Sequence, residues 1–206
     1  MEEINKRKQH IIDSAILTLK ELPIDQVSVR KIAKKAGLTT GAIYHFYNSK
    51  DDLIFDCMQQ SLYFTSNLYR RVEEGNYQLK GKDLLDEINR QVEQRIRKIE
   101  EQKLHIQIIS DVIKKDDDLK KEYVKNYRRM IDVVSKLFSE AFTIEESKCQ
   151  KSVASILIAA IDGIALQQAL DVLPENIDSI IKTYINFFNE SIPEYLKKHS
   201  ECCSND

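Results

Sequence analysis

Residues 38–53 read LTTGAIYHFYNSKDDL, with Tyr44, His45, Phe46 and Tyr47 consecutive. A buried helix spaces its rings three and four apart so that they share a face, whereas four consecutive rings point all ways round. Some of them therefore meet something outside the core. Thr39 or Thr40 is placed to cap a helix here. Ile43 and Tyr47, four apart, can turn back with Leu38 onto whatever precedes them. Thr40, Gly41, Ala42, Tyr44, His45 and Phe46 are left over the outward side. The small residues let such a helix enter a groove closely, and the rings around them can press on sugars and phosphates.

Working upstream, Ser28 is placed to cap a second short helix, VRKIAKKA, whose inner stripe is Val29, Ile32, Ala33 and Ala36. Gly37 supplies the left-handed residue that ends it. Two short helices joined by a three- to four-residue turn containing glycine have the spacing of a helix-turn-helix. Before them, Ile11, Ile12, Ala15, Ile16 and Leu19 predict a first helix over 4–22 with a basic outer face, stopped by Pro23.

The run VSVRKIAKKAGLTTGAIYHFYNSKDDL resembles the DNA-binding module of TetR-type bacterial transcriptional regulators. The resemblance is dense over residues 5 to about 60 and rests on Gly41, Ala42, Ile43, Tyr44, Tyr47, Lys50 and Asp51 in register; Tyr47 stands where phenylalanine is commoner. It implies that Ser28 and Arg30 reach DNA, the hydroxyl to a phosphate and the guanidinium to a phosphate or a guanine edge. It further implies that Thr39, Thr40 and Ala42 face base edges, and that Tyr44 and Phe46 lie near the sugar-phosphate wall with His45 on the same outward side. Lys50 would clamp another phosphate. The side-chain chemistry agrees, since arginine can bond guanine bidentately and threonine offers a hydroxyl and a methyl. Phe46 is equally suited to packing against the fourth helix, and Asp51 and Asp52 complement a helix dipole without any DNA role.

Composition points the same way. Five Gly and three Pro in 206 residues, 42% of them apolar, predict an all-α fold, and the helices read along the chain number about nine, the count the resemblance also implies. The net charge of -2 is segregated: residues 1–50 carry nine Lys or Arg against five Asp or Glu, which suits an anionic partner at one end. The four cysteines, Cys57, Cys149, Cys202 and Cys203, form no CxxC pair and no zinc spacing, so neither a disulfide framework nor a metal site is expected. The N-terminus has no apolar segment of the signal-peptide kind, and Asp162 interrupts the longest apolar run, so no membrane association is expected and a cytoplasmic location is.

Past residue 50 the apolar series predicts a helix over 51–74 closed by Gly75, then helices near 82–100, 103–115, 117–142, 146–171 and 176–190. The predicted organisation is a helix-turn-helix domain at 1–49, a helical ligand-binding and dimerisation domain at 50–197, and a disordered tail at 198–206. The last two helices are apolar on nearly all faces, which suits packing against their copies in a second subunit through Ile156, Ala160, Gly163, Ile164, Ile181, Tyr184 and Phe188; an intrachain core is the other reading. A homodimer would set two heads about 34 to 36 Å apart on the half-sites of a palindrome. The resemblance implies an effector cavity within the helical bundle. Its candidate lining residues are Tyr63, Phe64, His105, Tyr127, Phe138 and Gln167, each also explicable as core or surface.

No clustered nucleophile and base, Glu-x-x-His pair or glycine-rich phosphate loop occurs, so no catalytic residues and no cofactor are expected. The expected function is a sequence-specific regulator binding double-stranded DNA at a palindromic operator, most simply a homodimeric repressor released by a small-molecule effector. An effector-independent regulator or activator of the same fold, or a helical protein-interaction module, are the competing readings.

Overall fold

A computed structural model describes residues 2–62, 78–114, 118–143 and 148–199, and among these there are nine helices and no strand. They are α1 (Glu2–Glu21), α2 (Val29–Ala36), α3 (Thr40–Tyr44), α4 (Lys50–Leu62), α5 (Gly81–Arg97), α6 (Ile99–Ile113), α7 (Asp118–Phe142), α8 (Lys148–Ala169) and α9 (Ile177–His199). The chain packs as two units: Met1–Tyr63 with Leu104–Lys125, and Phe64–Lys103 with Asn126–Asp206. Each unit thus draws on two separate stretches of the sequence. Leu104, Ile108 and Val112, a stripe at four-residue spacing on α6, and Leu119 on α7 join the core of the N-terminal helices.

In the first unit α1 buries Ile11, Ile12, Ala15 and Leu19. Two polar residues share that stripe at no unsatisfied cost, because each hydroxyl donates to the carbonyl one turn back: Ser14 to His10 at 2.8 Å and Thr18 to Ser14 at 2.7 Å. Pro23 follows the last turn, as expected. The turn after it is held from α6, where Gln107 Nε2 donates to the carbonyls of Leu19 and Leu22 at 3.0 and 3.2 Å, and Asp111 accepts from the Ile24 amide at 3.2 Å. These satisfy groups that a helix end leaves orphaned.

The second unit is built on Phe138, Leu157, Ile161, Ile181, Tyr184, Ile192 and their neighbours. Its helices differ from expectation at their ends. α5 stops at Arg97, and at the break the buried Arg95 carbonyl accepts from the Lys98 amide at 3.3 Å and from the Gln102 side chain at 3.1 Å. α9 runs through Pro193 to His199. Proline there forfeits one ladder bond, but Ile192 and Leu196 flank it in the core and hold the helix on both sides. The expected helix over 51–74 is described only as Lys50–Leu62; Gly75, Cys202 and Cys203 lie outside the described residues.

Candidate nucleic-acid interface

Ser28 has extended backbone and its hydroxyl accepts from the Lys31 amide at 3.3 Å, starting α2. Val29, Ile32, Ala33 and Ala36 are buried, and Gly37 at φ 66° reverses the chain so that the Leu38 amide reaches Ala33 O at 2.9 Å. Thr39, rather than Thr40, then caps α3, accepting from the Ala42 amide at 3.2 Å. Both cap hydroxyls act as acceptors here, so each hydroxyl hydrogen is still available to an outside acceptor such as a phosphate oxygen.

Ile43 is fully buried and Tyr47 nearly so. The Tyr47 hydroxyl donates to Asp56 at 3.1 Å, while Lys8 pairs with the same carboxylate at 2.7 Å and sits 5.4 Å from the ring centre. Burial first, then the Asp56 charge, pushes the Tyr47 phenol well above its ordinary value, so it stays a donor. The hydroxyl that distinguishes Tyr47 from phenylalanine is thereby used inside the head.

Arg30, Thr39, Thr40, Tyr44 and His45 are exposed together, with Ser28, Ala42 and Phe46 partly so. Phe46 packs against the core of this unit and meets the His45 ring edge-on at 5.3 Å between centres, so the packing alternative accounts for much of its surface. Lys50 is engaged inside the unit: its ammonium donates to the Ile24 carbonyl at 3.2 Å. Its first-turn neighbour Asp52 accepts from the Ser49 amide at 3.1 Å, and Ser49 in turn accepts from the Asp52 amide at the same distance, a reciprocal cap.

Of the six expected effector residues, four are described. Tyr63 and Phe64 lie outside the described residues. His105 belongs to the first unit, buried with its ring stacked on Tyr123, and Gln167 is exposed on α8. Of the four that are described, Phe138 lines a cavity of about 50 Å³ in the second unit, with Val92, Met130, Val134, Leu157 and Ile161. At this cavity lies a polar group of which the sequence reading names only Tyr127 as a candidate site residue. Arg95 pairs with Asp162 at 2.5 Å and Tyr127 donates to the second Asp162 oxygen at 2.5 Å. Burial, followed by the Asp162 charge, raises the Tyr127 phenol. The signal in the sequence was Asp162 itself, an acid in an otherwise apolar helix.

Of the expected dimer residues, Ile181 and Tyr184 are buried in the chain's own core, the tyrosine donating to Leu157 O at 3.1 Å, and Phe188 packs against that core. Ala160, Gly163 and Ile164 are half-buried and Ile156 is 63% exposed. Besides Ile156, apolar residues outside the expected set are left in the open: Leu166, Leu170 and Phe187 among them. With Ile156, Ala159 and Gly163, Leu166 makes a stripe at helical spacing along α8, which Leu170 continues just past the helix end. That helix is long and apolar enough to cross a membrane by length and composition alone; its other side supplies Val153, Ala154, Leu157 and Ile161 to the core, as a core helix does.

Residues 11–57 match the family model described as bacterial regulatory proteins, tetR family. Over 60 residues the chain is 35% identical to the HTH-type transcriptional regulator AcrR of Shigella flexneri, an alignment covering 29% of this chain and 28% of that protein. Over 74 residues it is 30% identical to the fatty acid metabolism regulator protein of Bacillus subtilis strain 168, covering 36% of this chain and 37% of the relative. The matched stretches thus span little more than a third of these relatives at most. Across nearly the whole chain the fold is that of the fatty acid degradation regulator FadR from Bacillus halodurans, with TM-score 0.69, 16% identity, and 89% and 98% of the two chains covered.

Proposed function

We propose that this chain, whose residues 11–57 match the model of bacterial regulatory proteins of the tetR family and whose fold is shared with such a regulator, is a homodimeric, cytoplasmic regulator of transcription that reads a palindromic operator and releases it when a small molecule binds. One observation carries the reading: α3 hides Ile43 and Tyr47 and presents Thr39, Thr40, Tyr44 and His45 to solvent, beside Arg30 from α2. A short helix with its apolar side anchored and hydroxyl, imidazole, phenol and guanidinium groups outward has what base edges and phosphates require.

Dimerisation is supported by the open stripe on α8 and by Phe187 on α9, exposed apolar side chains of the kind an interface covers. Release by an effector is supported by the cavity against Phe138. At about 50 Å³ it is far below the roughly 300–1,000 Å³ of ligand pockets, so filling it requires the helices around it to spread. A ligand that binds only the spread form has the differential affinity a switch needs, with coupling of about 1–3 kcal/mol.

Capture of sheared bacterial genomic DNA on the purified protein at near-physiological salt, followed by sequencing, tests the reading. Enrichment of one or a few palindromes is the expected result. Retention of DNA without sequence preference, by a protein that is a folded dimer, would leave the basic head to another acidic partner and overturn the operator reading.

A further inference from the structure

We infer that the DNA-facing surface continues onto α1 and that Arg7 is a second clamp for the sugar-phosphate backbone, an inference that rests on the DNA-binding reading above. An open groove of about 830 Å³ is lined from α1 by Ile4, Lys6 and Arg7 and from α3 and the residues just after it by Ala42, His45 and Phe46. Three residues of the reading surface thus share a concave site with two cations that are 35 or more positions away in sequence. None of the described lining residues is acidic.

The three consecutive cations at 6–8 are differently employed. Lys8 is committed to Asp56 at 2.7 Å. Arg7 is exposed and, among the described residues, makes no ion pair. A helix seated in a major groove has a phosphate strand along each flank; the flank of α3 that faces α1 is this groove. Lys50, the cation that the sequence assigned to a phosphate, does not line it and bonds the Ile24 carbonyl instead. A guanidinium held here can take two phosphate oxygens with parallel bonds, fixing the register of the head without reading sequence.

The test measures affinity for the captured duplex against salt concentration, for the full-length wild type, Arg7→Ala and Arg7→Lys. Each neutralised phosphate contributes roughly 0.9 to the slope of log affinity against log salt. A dimer losing two such contacts should show a slope shallower by about 2, so that raising salt from 50 to 200 mM costs Arg7→Ala roughly tenfold less affinity than it costs wild type. Ranking among operator variants should not change, and Arg7→Lys should keep most of the slope. A wild-type slope in Arg7→Ala, or an Arg7→Lys protein as defective as Arg7→Ala, would overturn the inference while leaving the regulator reading intact. That reading fails separately, if wild type itself selects no duplex.

Discussion

At the scale of single residues, the glycines separate demands of the fold from demands made from outside. Gly37 has φ 66°, a conformation that only glycine adopts without strain, although a Cβ there would touch nothing within 4 Å. Gly41 has no such backbone need, and an added Cβ would meet only the Thr39 hydroxyl at 3.9 Å. The two therefore respond oppositely to alanine. Gly37→Ala should lose about 1 kcal/mol of stability in urea unfolding, from left-handed strain. Gly41→Ala should keep its stability or gain up to about 1 kcal/mol from helix propensity, yet bind the captured duplex less well because a methyl now stands between α3 and the groove floor. Unchanged duplex affinity in Gly41→Ala would remove that residue from the interface.

At the scale of elements, the holding of each helix end decides what can move. The turn after α1 is anchored by Ile24 and Val27, with Leu22 packed against the same core; its backbone groups are met by Gln107 and Asp111 of α6 and by Lys50 of α4. Asp111→Ala should cost about 1–2 kcal/mol, since it strands a part-buried amide; loss of less than a few tenths would show the turn to be solvated. In the second unit α5 and α8 are joined by Arg95 and Asp162, the arginine side chain 5% exposed and the aspartate 23%. Removing one partner leaves an uncompensated charge. Asp162→Ala should therefore destabilise by about 3 kcal/mol, discounted for the aspartate's partial exposure, whereas Arg95→Met with Asp162→Leu should recover most of that loss. Equal instability of the single and double variants would mean that packing, and not charge, sets the cost.

At the scale of the whole molecule, the question is what covers α8. Its buried side is complete within the chain, yet Ile156, Leu166 and Leu170 stand 63, 47 and 62% exposed on the other, and Phe187 on α9 is 60% exposed. A Cβ added at Gly163, in the middle of that stripe, would meet nothing within 4 Å, so nothing in its own chain requires a small residue there. A second copy laid across the stripe would. Ile156→Asp and Phe187→Asp should each shift the protein toward monomer in sedimentation velocity at micromolar concentration. Because both positions are exposed, far-ultraviolet circular dichroism should be unchanged. A dimer that survives both substitutions would place its interface elsewhere.

Much of the head could be read directly from the sequence, because its determinants are local. Caps at Ser28 and Thr39, a left-handed glycine at 37 and buried residues four apart are set by backbone hydrogen bonding and helical geometry within a few positions. The all-α class followed equally from composition and periodicity. The second unit was legible in its elements and not in its contacts. Period alone cannot say whether an apolar helix face meets its own chain or another, and tertiary packing put Ile181 and Tyr184 inside while leaving Leu166, Leu170 and Phe187 out. It likewise buried His105 in the first unit, joined Arg95 to Asp162 across 67 positions, turned Lys50 inward and set Arg7 and His45 on one groove. Long-range pairing of charges and the choice of partner for an apolar surface depend on where helices cross, a property of the packed chain that no short stretch encodes.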